Sequence, residues 1–187
     1  MPRSSRPPAS APRPLAWLLL LGGAAGLAAA TALTIEKLRL LRDPTYVPSC
    51  SINPVLSCGS VMSTPQAEAF GFPNPLLGIA GFAVLTTVGA VLLAGGALAR
   101  WFWIGLQVGV TFGAVFVHWL IFQSLYRIGA LCPYCLVVWV VTIPIFWYVT
   151  QHNLRKAKYH AVVLTVWYVV ILALITQRFW SYWSGLG

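Results

Sequence analysis

The chain has 187 residues, of which 59% are apolar and only 8% are charged. Soluble domains carry about 25% charged residues, and disordered chains are poor in apolar ones, so the composition excludes both classes. Twelve basic residues face three acidic ones, which gives a net charge of +9. Because the basic residues are scattered and form no nucleic-acid recognition motif, we predict an integral membrane protein with no nucleic-acid partner.

Five apolar stretches have or approach the ~20 residues that a membrane-spanning helix needs. They cover residues 15–35, 76–99, 101–125, 130–150 and 161–176. The fifth reaches a full span only with an aromatic tail that suits the membrane interface, formed by Phe179, Trp180, Tyr182 and Trp183. The sequence therefore predicts an all-α membrane protein, with a four-helix transmembrane bundle followed by a fifth transmembrane helix.

The N-terminal segment has two interpretations. Arg3, Arg6 and Arg13 precede the first apolar stretch, as the basic region of a secretory signal peptide does. The apolar run is longer than the ~7–15-residue core of such a peptide, however. We therefore predict a disordered cytoplasmic segment over residues 1–14, followed by a spanning helix. Either interpretation directs the next segment outward.

The basic residues also predict the orientation, since Lys and Arg are enriched in cytoplasmic loops. With the N-terminus inside, seven basic residues are cytoplasmic and five are outside, and the cluster at residues 155–158 is inside. Residues 36–75 then form a cap on the outer face. Residues 36–42 either extend the first helix or form an interfacial helix. Residues 15–150 would be the bundle, and residues 151–187 a cytoplasmic loop with the fifth helix.

The four cysteines form two local pairs, Cys50 with Cys58 and Cys132 with Cys135. In the predicted orientation all four lie on the outer face, where disulfide bonds persist. Pro133 suits the first position of a helix, so Cys132 stands at a helix N-terminus, where the dipole and the free amides lower a thiol pKa. Cys135 lies one turn deeper on the same face. Two thiol pairs on one face predict an electron relay.

Other interpretations of the cysteines remain open. Two structural disulfides would staple the cap of a non-catalytic scaffold, although a bridge within C-x-x-C closes almost no loop. Chance spacing in an inert helix is a second alternative. The seven residues between Cys50 and Cys58 exceed the usual spacing of zinc ligands, so we predict no metal site.

Three further features lie within the predicted helices. Trp139, a turn below Cys135, would wall a pocket between helices. His118 lies in the third span, where a polar group faces the bundle interior, and it either forms a hydrogen bond there or lines the pocket. We interpret three pairs of glycines as helix-packing positions: Gly22 and Gly23, Gly95 and Gly96, and Gly105 and Gly109.

Several motifs, in this order, resemble the vitamin K epoxide reductase family. They are Cys50, then Cys58-Gly-Ser-Val-Met-Ser63, then Phe70-Gly-Phe-Pro-Asn-Pro-Leu-Leu-Gly78, then Cys132-Pro-Tyr-Cys135. The likeness covers about residues 15–150. The fifth span and the basic, proline-rich N-terminus are similar to a bacterial, actinobacterial type without a fused thioredoxin domain.

The resemblance implies a fold and a set of site residues. The fold would be a four-helix bundle around a quinone, capped by the outer loop. Cys132 and Cys135 would be the active-site pair beside the quinone, and Cys50 and Cys58 the shuttle pair. The quinone-binding residues would be Asn74, which bonds the carbonyl, with Met62, Ser63 or Thr64, Trp139 and His118. Trp139 replaces a tyrosine of vertebrate members, and Asn74 before a proline is also a good helix N-cap.

The resemblance also implies a reaction. The protein would reoxidise a thioredoxin-fold partner similar to DsbA and pass two electrons to menaquinone or ubiquinone in a bacterial inner membrane, supporting disulfide bond formation. A second reaction, reduction of a quinone epoxide by the same relay, stays open. The scaffold with structural disulfides is the alternative of another class.

Overall fold

The computed structural model describes residues 11–154 and 160–185. Residues 1–10 of the segment predicted to be disordered, the basic cluster at residues 155–158 and the side chain of Trp183 lie outside the described residues. The α-helices of the described part are α1 (Arg13–Arg42), α2 (Cys58–Met62), α3 (Pro75–Leu93), α4 (Arg100–Gln123), α5 (Pro133–Leu154), α6 (His160–Arg178) and α7 (Trp180–Ser184). A 3-10 helix covers Pro65–Glu68, and a π-helical turn covers Ser124–Ile128.

All five predicted spans are helical, and within the described residues five helices are long and apolar enough to cross a membrane. α1 is 30 residues long, so residues 36–42 extend it rather than forming a separate interfacial helix. It also begins at Arg13, inside the segment predicted to be disordered. α5 begins at Pro133, as the proline predicted, and it continues through Pro144.

α3 ends at Leu93, six residues before the predicted end of its span. Gly95 adopts a left-handed backbone with φ of 87°. The Gly96 amide donates to Val91 O (2.9 Å) and the Gly95 amide to Leu92 O (3.1 Å). These two bonds form a Schellman motif, which ends a helix. The helix-packing interpretation of Gly95 and Gly96 is therefore wrong.

α1, α3, α4 and α5 form a bundle in which α1 packs on α3 and α5, and α5 packs on α4. Glycines allow α1 a close approach: a Cβ at Gly23 would lie 2.7 Å from the Thr86 backbone nitrogen of α3, and one at Gly22 would lie 3.2 Å from Ile145 of α5. This confirms the packing role of Gly22 and Gly23.

α3 and α4 are neighbours in the bundle, yet their direct packing along their described lengths is weaker than that of the other neighbouring pairs. Gly105 and Gly109 of α4 were interpreted as packing positions, and that interpretation is wrong. Among the described residues, no atom lies within 4 Å of the place where a Cβ would stand at either glycine. Both line a cavity instead. The bundle is thus loosely packed between α3 and α4, where the cavity lies.

α6 packs on the outside of α4 and α5. The Trp167 indole N–H donates to His118 Nε2 of α4 (2.8 Å), and the Tyr168 hydroxyl donates to Val140 O of α5 (2.7 Å). At its end, Arg178 Nε donates to Leu125 O in the π-helical turn (2.7 Å). These hydrogen bonds therefore hold α6 against the bundle both near its middle and at its C-terminal end.

The cap between α1 and α3 is held to α1 by a buried carboxylate. Glu36 is 6% exposed and accepts hydrogen bonds from the Tyr46 hydroxyl (2.8 Å) and the Ser49 hydroxyl (2.7 Å). These bonds satisfy a charge that would otherwise be costly to bury. They also fold the chain back over the bundle just before Cys50.

Candidate active site

A short backbone pairing brings the two cysteine pairs together. The Leu131 amide donates to Val55 O (2.7 Å), and the Ser57 amide donates to Leu131 O (2.8 Å). This isolated bridge joins the cap to the connection between α4 and α5. Because Cys58 follows Ser57 and Cys132 follows Leu131, the bridge places both cysteines side by side at the same end of the bundle.

Three of the four sulfur atoms form one buried group. Cys50 and Cys58 are joined in a disulfide, and Cys58 Sγ lies 3.0 Å from Cys132 Sγ. The Sγ atoms of Cys50, Cys58 and Cys132 all lie within 4.8 Å of one another. Cys132 and Cys135 are free thiols. The scaffold alternative requires two stapling disulfides, and the C-x-x-C pair forms none here.

Each of the two touching cysteines stands at the start of a helix. Cys58 is the first residue of α2, whose N-cap Ser57 accepts a hydrogen bond from the Ser60 amide (3.2 Å). Cys132 directly precedes α5, and its carbonyl accepts from the Leu136 amide (3.0 Å). The arrangement gives Cys132 the helix N-terminus that the C-P-x-C motif predicts.

The surroundings of Cys132 favour its thiolate. A hydrogen bond with the Cys135 thiol lowers the pKa of Cys132, and the backbone amides of Cys135 and Tyr134 act in the same direction. Burial opposes them by raising it, since a charged group loses hydration. The net pKa lies below that of an ordinary thiol, in the direction that its place at the helix N-terminus predicts.

A cavity of about 620 Å³ lies below the sulfur group, between α1, α3, α4, α5 and the cap. Its walls are mostly apolar, and Cys135 lines it whereas Cys132 does not. A pocket of this size and character suits a small hydrophobic ligand. The polar residues that face the cavity are few among those described: Lys37, Gln66, Asn74, Gln123, Ser124 and Thr142.

Asn74 lines the cavity but does not cap α3. It stands at the N-cap position with helical backbone angles and no side-chain cap hydrogen bond. Its amide instead fixes the preceding turn: Nδ2 donates to Gln66 O (2.7 Å), and Oδ1 accepts from the Ala69 amide (3.0 Å). Since an amide nitrogen carries two hydrogens, one donor remains for a ligand.

Trp139 offers a second donor. It is 3% exposed and lines the cavity one turn below Cys135. Its indole Nε1–H is buried and has no hydrogen-bond partner among the described residues. A buried N–H is rarely left unsatisfied. The orphaned donor therefore fits a ligand with a carbonyl oxygen in the cavity.

The other predicted pocket residues divide into two groups. Met62 is buried and lines the cavity. Ser63 and Thr64 do not line it, and their hydroxyls donate to the carbonyls of Gly59 and Val61. His118 also lies outside the cavity lining: it bonds Ala114 O through Nδ1 (2.7 Å) and accepts from Trp167. The structure thus makes His118 a hydrogen-bonded interior residue.

The geometry explains why the three clustered sulfurs are not a metal site in this state. A cysteine binds metal as a thiolate, and two of the three sulfurs are spent in the Cys50–Cys58 disulfide. What remains is a disulfide with a free thiol directly beside it, which is the arrangement required for thiol–disulfide exchange.

A sequence model of the vitamin K epoxide reductase family matches residues 17–150. The chain belongs to the vitamin K epoxide reductase family. The match covers all four cysteines and runs from α1 to most of α5, so it leaves α6 and α7 outside. A comparison with curated proteins found no match. Membership in the family supports a membrane-embedded oxidoreductase, in agreement with the five apolar helices and the disulfide.

Sequence reasoning did not predict that Lys37 lines the cavity. It was counted only as one of five outer basic residues, whereas the structure buries it against the cavity. An available signal was its position at the end of an apolar span, since ionisable residues in such segments are usually functional. The Leu56–Leu131 bridge had no signal, because a two-residue contact has no periodicity.

Proposed function

We propose that the protein is a quinone-dependent thiol–disulfide oxidoreductase of a bacterial inner membrane, with its cap on the outer face. It takes two electrons from a reduced thioredoxin-fold partner similar to DsbA and delivers them to menaquinone or ubiquinone. The observation that carries the proposal is the order of the sulfurs. Cys50 is 6% exposed, Cys58 and Cys132 are fully buried and adjacent, and Cys135 lines the cavity.

The first steps occur in the cap. A partner thiolate attacks Cys50, the more exposed sulfur of the disulfide, and Cys58 leaves as a thiolate. The second partner thiol resolves the mixed disulfide, so that the partner leaves oxidised and Cys50 becomes a thiol. Two electrons and two protons have then entered the cap.

The next steps move the electrons to the cavity. Cys58 attacks Cys132 of an oxidised Cys132–Cys135 pair, the Cys58–Cys132 bond forms, and Cys135 leaves as a thiolate. Cys50 then attacks Cys58, which re-forms the cap disulfide and releases Cys132. The result is a closed Cys50–Cys58 disulfide with free Cys132 and Cys135, the state seen here.

The cavity supports a quinone as the final acceptor. A quinone takes up two electrons and two protons, and the Cys132–Cys135 pair supplies both when it closes to a disulfide. Trp139 Nε1 and the second Asn74 Nδ2 hydrogen would hold its carbonyl oxygens beside Cys135. The loosely packed side between α3 and α4, with Gly105 and Gly109, gives room for an apolar tail.

The test is thiol counting on the purified protein in detergent. The protein is reduced, mixed with menaquinone or ubiquinone, and alkylated at intervals. With excess quinone, wild type should lose all four alkylatable thiols, because the Cys132–Cys135 pair closes, is reopened by the cap thiols and closes again. Cys135→Ala should show no quinone-dependent loss. When the cap disulfide of this variant is left closed, Cys132 should attack Cys58 and release Cys50, which gives a Cys58–Cys132 link that mass spectrometry identifies. If wild type binds quinone but keeps all its thiols, the proposal is wrong.

A further inference from the structure

Lys37 is a buried charged residue that the proposed relay leaves unused. It is 7% exposed, in contrast to Arg42 on the same helix, which is exposed. Lys37 is the one charged side chain among the described residues that line the cavity. Burying an ammonium beside apolar walls is costly unless it is paired and hydrogen-bonded. Its orientation toward the cavity therefore needs a reason.

The partners of Lys37 hold its ammonium in place. Nζ donates to Met62 O at the end of α2 (2.7 Å) and forms a salt bridge with Glu68 Oε1 (2.9 Å). The Glu68 side chain is 38% exposed, whereas that of Lys37 is 9% exposed, so the carboxylate lies on the water side and the ammonium on the cavity side. An ammonium has three N–H donors. Two are used, and the third is free for a ligand.

The other charged groups of this region are engaged elsewhere or face solvent. Glu36, the neighbour of Lys37 in the chain, is bound to Tyr46 and Ser49. Arg39 donates to the Tyr46 hydroxyl (3.3 Å) and is exposed, as is Arg42. Lys37 is therefore the source of positive charge for the cavity, and Glu68 is the group that partly neutralises it.

From this geometry we infer that Lys37 is a catalytic residue of the quinone step, which contacts a quinone oxygen and stabilises the negative charge that develops there during reduction. The inference rests on the proposed function. Electrostatic stabilisation by a pre-positioned donor is strong where water is excluded. Lys37 neither donates nor accepts electrons. The Cys132–Cys135 pair supplies both electrons, and the two protons that its thiols release complete the quinol.

A competing explanation is that Lys37 only fastens the cap. Its bond to Met62 O holds the end of α2, and Glu68 belongs to the 3-10 helix whose Gln66 carbonyl binds Asn74. A residue that only fastens the cap and a residue that binds an anion differ in one measurable respect. Loss of the first weakens the binding of every ligand, whereas loss of the second weakens the binding of an anionic ligand selectively.

The experiment compares two probes of similar size on the full-length protein in detergent, by quenching of tryptophan fluorescence. Menadione is neutral, and a hydroxynaphthoquinone that is ionised at neutral pH represents the charged quinone oxygen. The measured quantity is the ratio of the two dissociation constants. A ratio cancels any general loosening of the cavity, and thermal unfolding of each variant confirms that it folds.

Four variants give a directional outcome. Lys37→Met should lower the preference for the anionic probe about tenfold, the factor that corresponds to 1.4 kcal/mol at 25 °C. Lys37→Arg, which keeps the charge, should stay near wild type. Glu68→Gln removes the neutralising carboxylate and should raise the preference. Arg42→Met, which removes an exposed charge from the same helix, should leave it unchanged.

Two results would overturn the inference while leaving the proposed function intact. One is an equal weakening of both probes in Lys37→Met, and the other is a loss of anion preference in Glu68→Gln as large as that in Lys37→Met. Both would make Lys37 a fastener of the cap. If wild type binds neither probe, the proposed quinone chemistry fails, and the role of Lys37 in it fails with it.

Discussion

At the scale of single residues, an unpaired indole N–H has a different consequence at different places in the fold. The indole Nε1–H groups of Trp103, Trp139 and Trp147 are all buried without a hydrogen-bond partner among the described residues. Only Trp139 of the three lines the cavity. An unpaired donor facing a cavity is ready to bind a ligand, whereas one packed between helices lowers stability.

This difference gives a matched pair of variants. Trp139→Phe keeps an aromatic wall and removes the donor, so it should weaken quinone binding about fivefold, which is the factor for the loss of one hydrogen bond of about 1 kcal/mol. Trp147→Phe removes the same kind of donor outside the cavity and should leave quinone affinity unchanged. The measurement is a dissociation constant for each variant. Equal losses in the two variants would contradict a ligand-binding role for Trp139.

The C-x-x-C pair gives a second residue-scale prediction, on pH. Since the hydrogen bond with Cys135 is the largest factor lowering the pKa of Cys132, Cys135→Ala should raise that pKa. Exchange needs the thiolate, so the Cys58–Cys132 link should form slowly at a pH where Cys135→Ser still forms it rapidly, because serine keeps a donor. The measurement is the rate of link formation against pH. Superimposed profiles for the two variants would refute the prediction.

At the scale of elements, α6 supports the active-site end of the bundle from outside. Leu125 is fully buried, and the π-helical turn directs its carbonyl to Arg178 Nε (2.7 Å). Phe179 is 5% exposed and packs in the same apolar cluster as Val55 and Leu131. These contacts connect the fifth span to the residue that precedes Cys132. α6, which lies outside the residues matched by the family model, thus supports the start of α5, which lies within them.

The brace is testable with two arginines. Arg178→Ala leaves the buried Leu125 carbonyl without a partner, which costs about 1–3 kcal/mol, so the unfolding temperature in detergent should fall clearly. Arg127→Ala removes an exposed arginine from the same turn and serves as the control, with little change expected. A fall of equal size in both variants would mean that net charge, and not the hydrogen bond, determines the effect.

The helices were largely predictable from the sequence, whereas the roles of individual side chains at their ends were not. The five spans followed from hydropathy, because the bilayer core permits little else than apolar helices, and Pro133 located the start of α5. A capping role was also considered for Asn74, yet its backbone is already helical, with φ of −52° and ψ of −34°, whereas a capping residue is usually extended. Lys37 was misread because the direction in which a helical residue faces depends on neighbouring helices.

At the scale of the whole molecule, the site is asymmetric with respect to the membrane. The cap, the sulfur group and the α4–α5 connection share one end of the bundle, and the Schellman turn at Gly95 lies at the end of α3 remote from the cap. The proposed relay could therefore react with an exported partner in one orientation only. The prediction from the basic residues is that the cap faces outward.

Labelling with a membrane-impermeant maleimide tests that orientation. Ile52 in the cap is 69% exposed, and Ala97 in the α3–α4 connection is also exposed. Ile52→Cys should be labelled in intact cells, whereas Ala97→Cys should react only after the membrane is permeabilised. The reverse pattern would place the cap in the cytoplasm and rule out an extracytoplasmic partner.

The loosely packed side between α3 and α4 has a consequence for the proposed quinone reaction. In that proposal the quinone enters from the lipid by diffusion in two dimensions, so the concentration that governs the reaction is its mole fraction in the bilayer. Adding phospholipid at fixed amounts of protein and quinone lowers the mole fraction of quinone in the bilayer, although the amount of quinone per aqueous volume does not change. Under the proposed function, the composition of the membrane, more than that of the water around it, therefore determines how quickly the cysteine relay passes on its electrons.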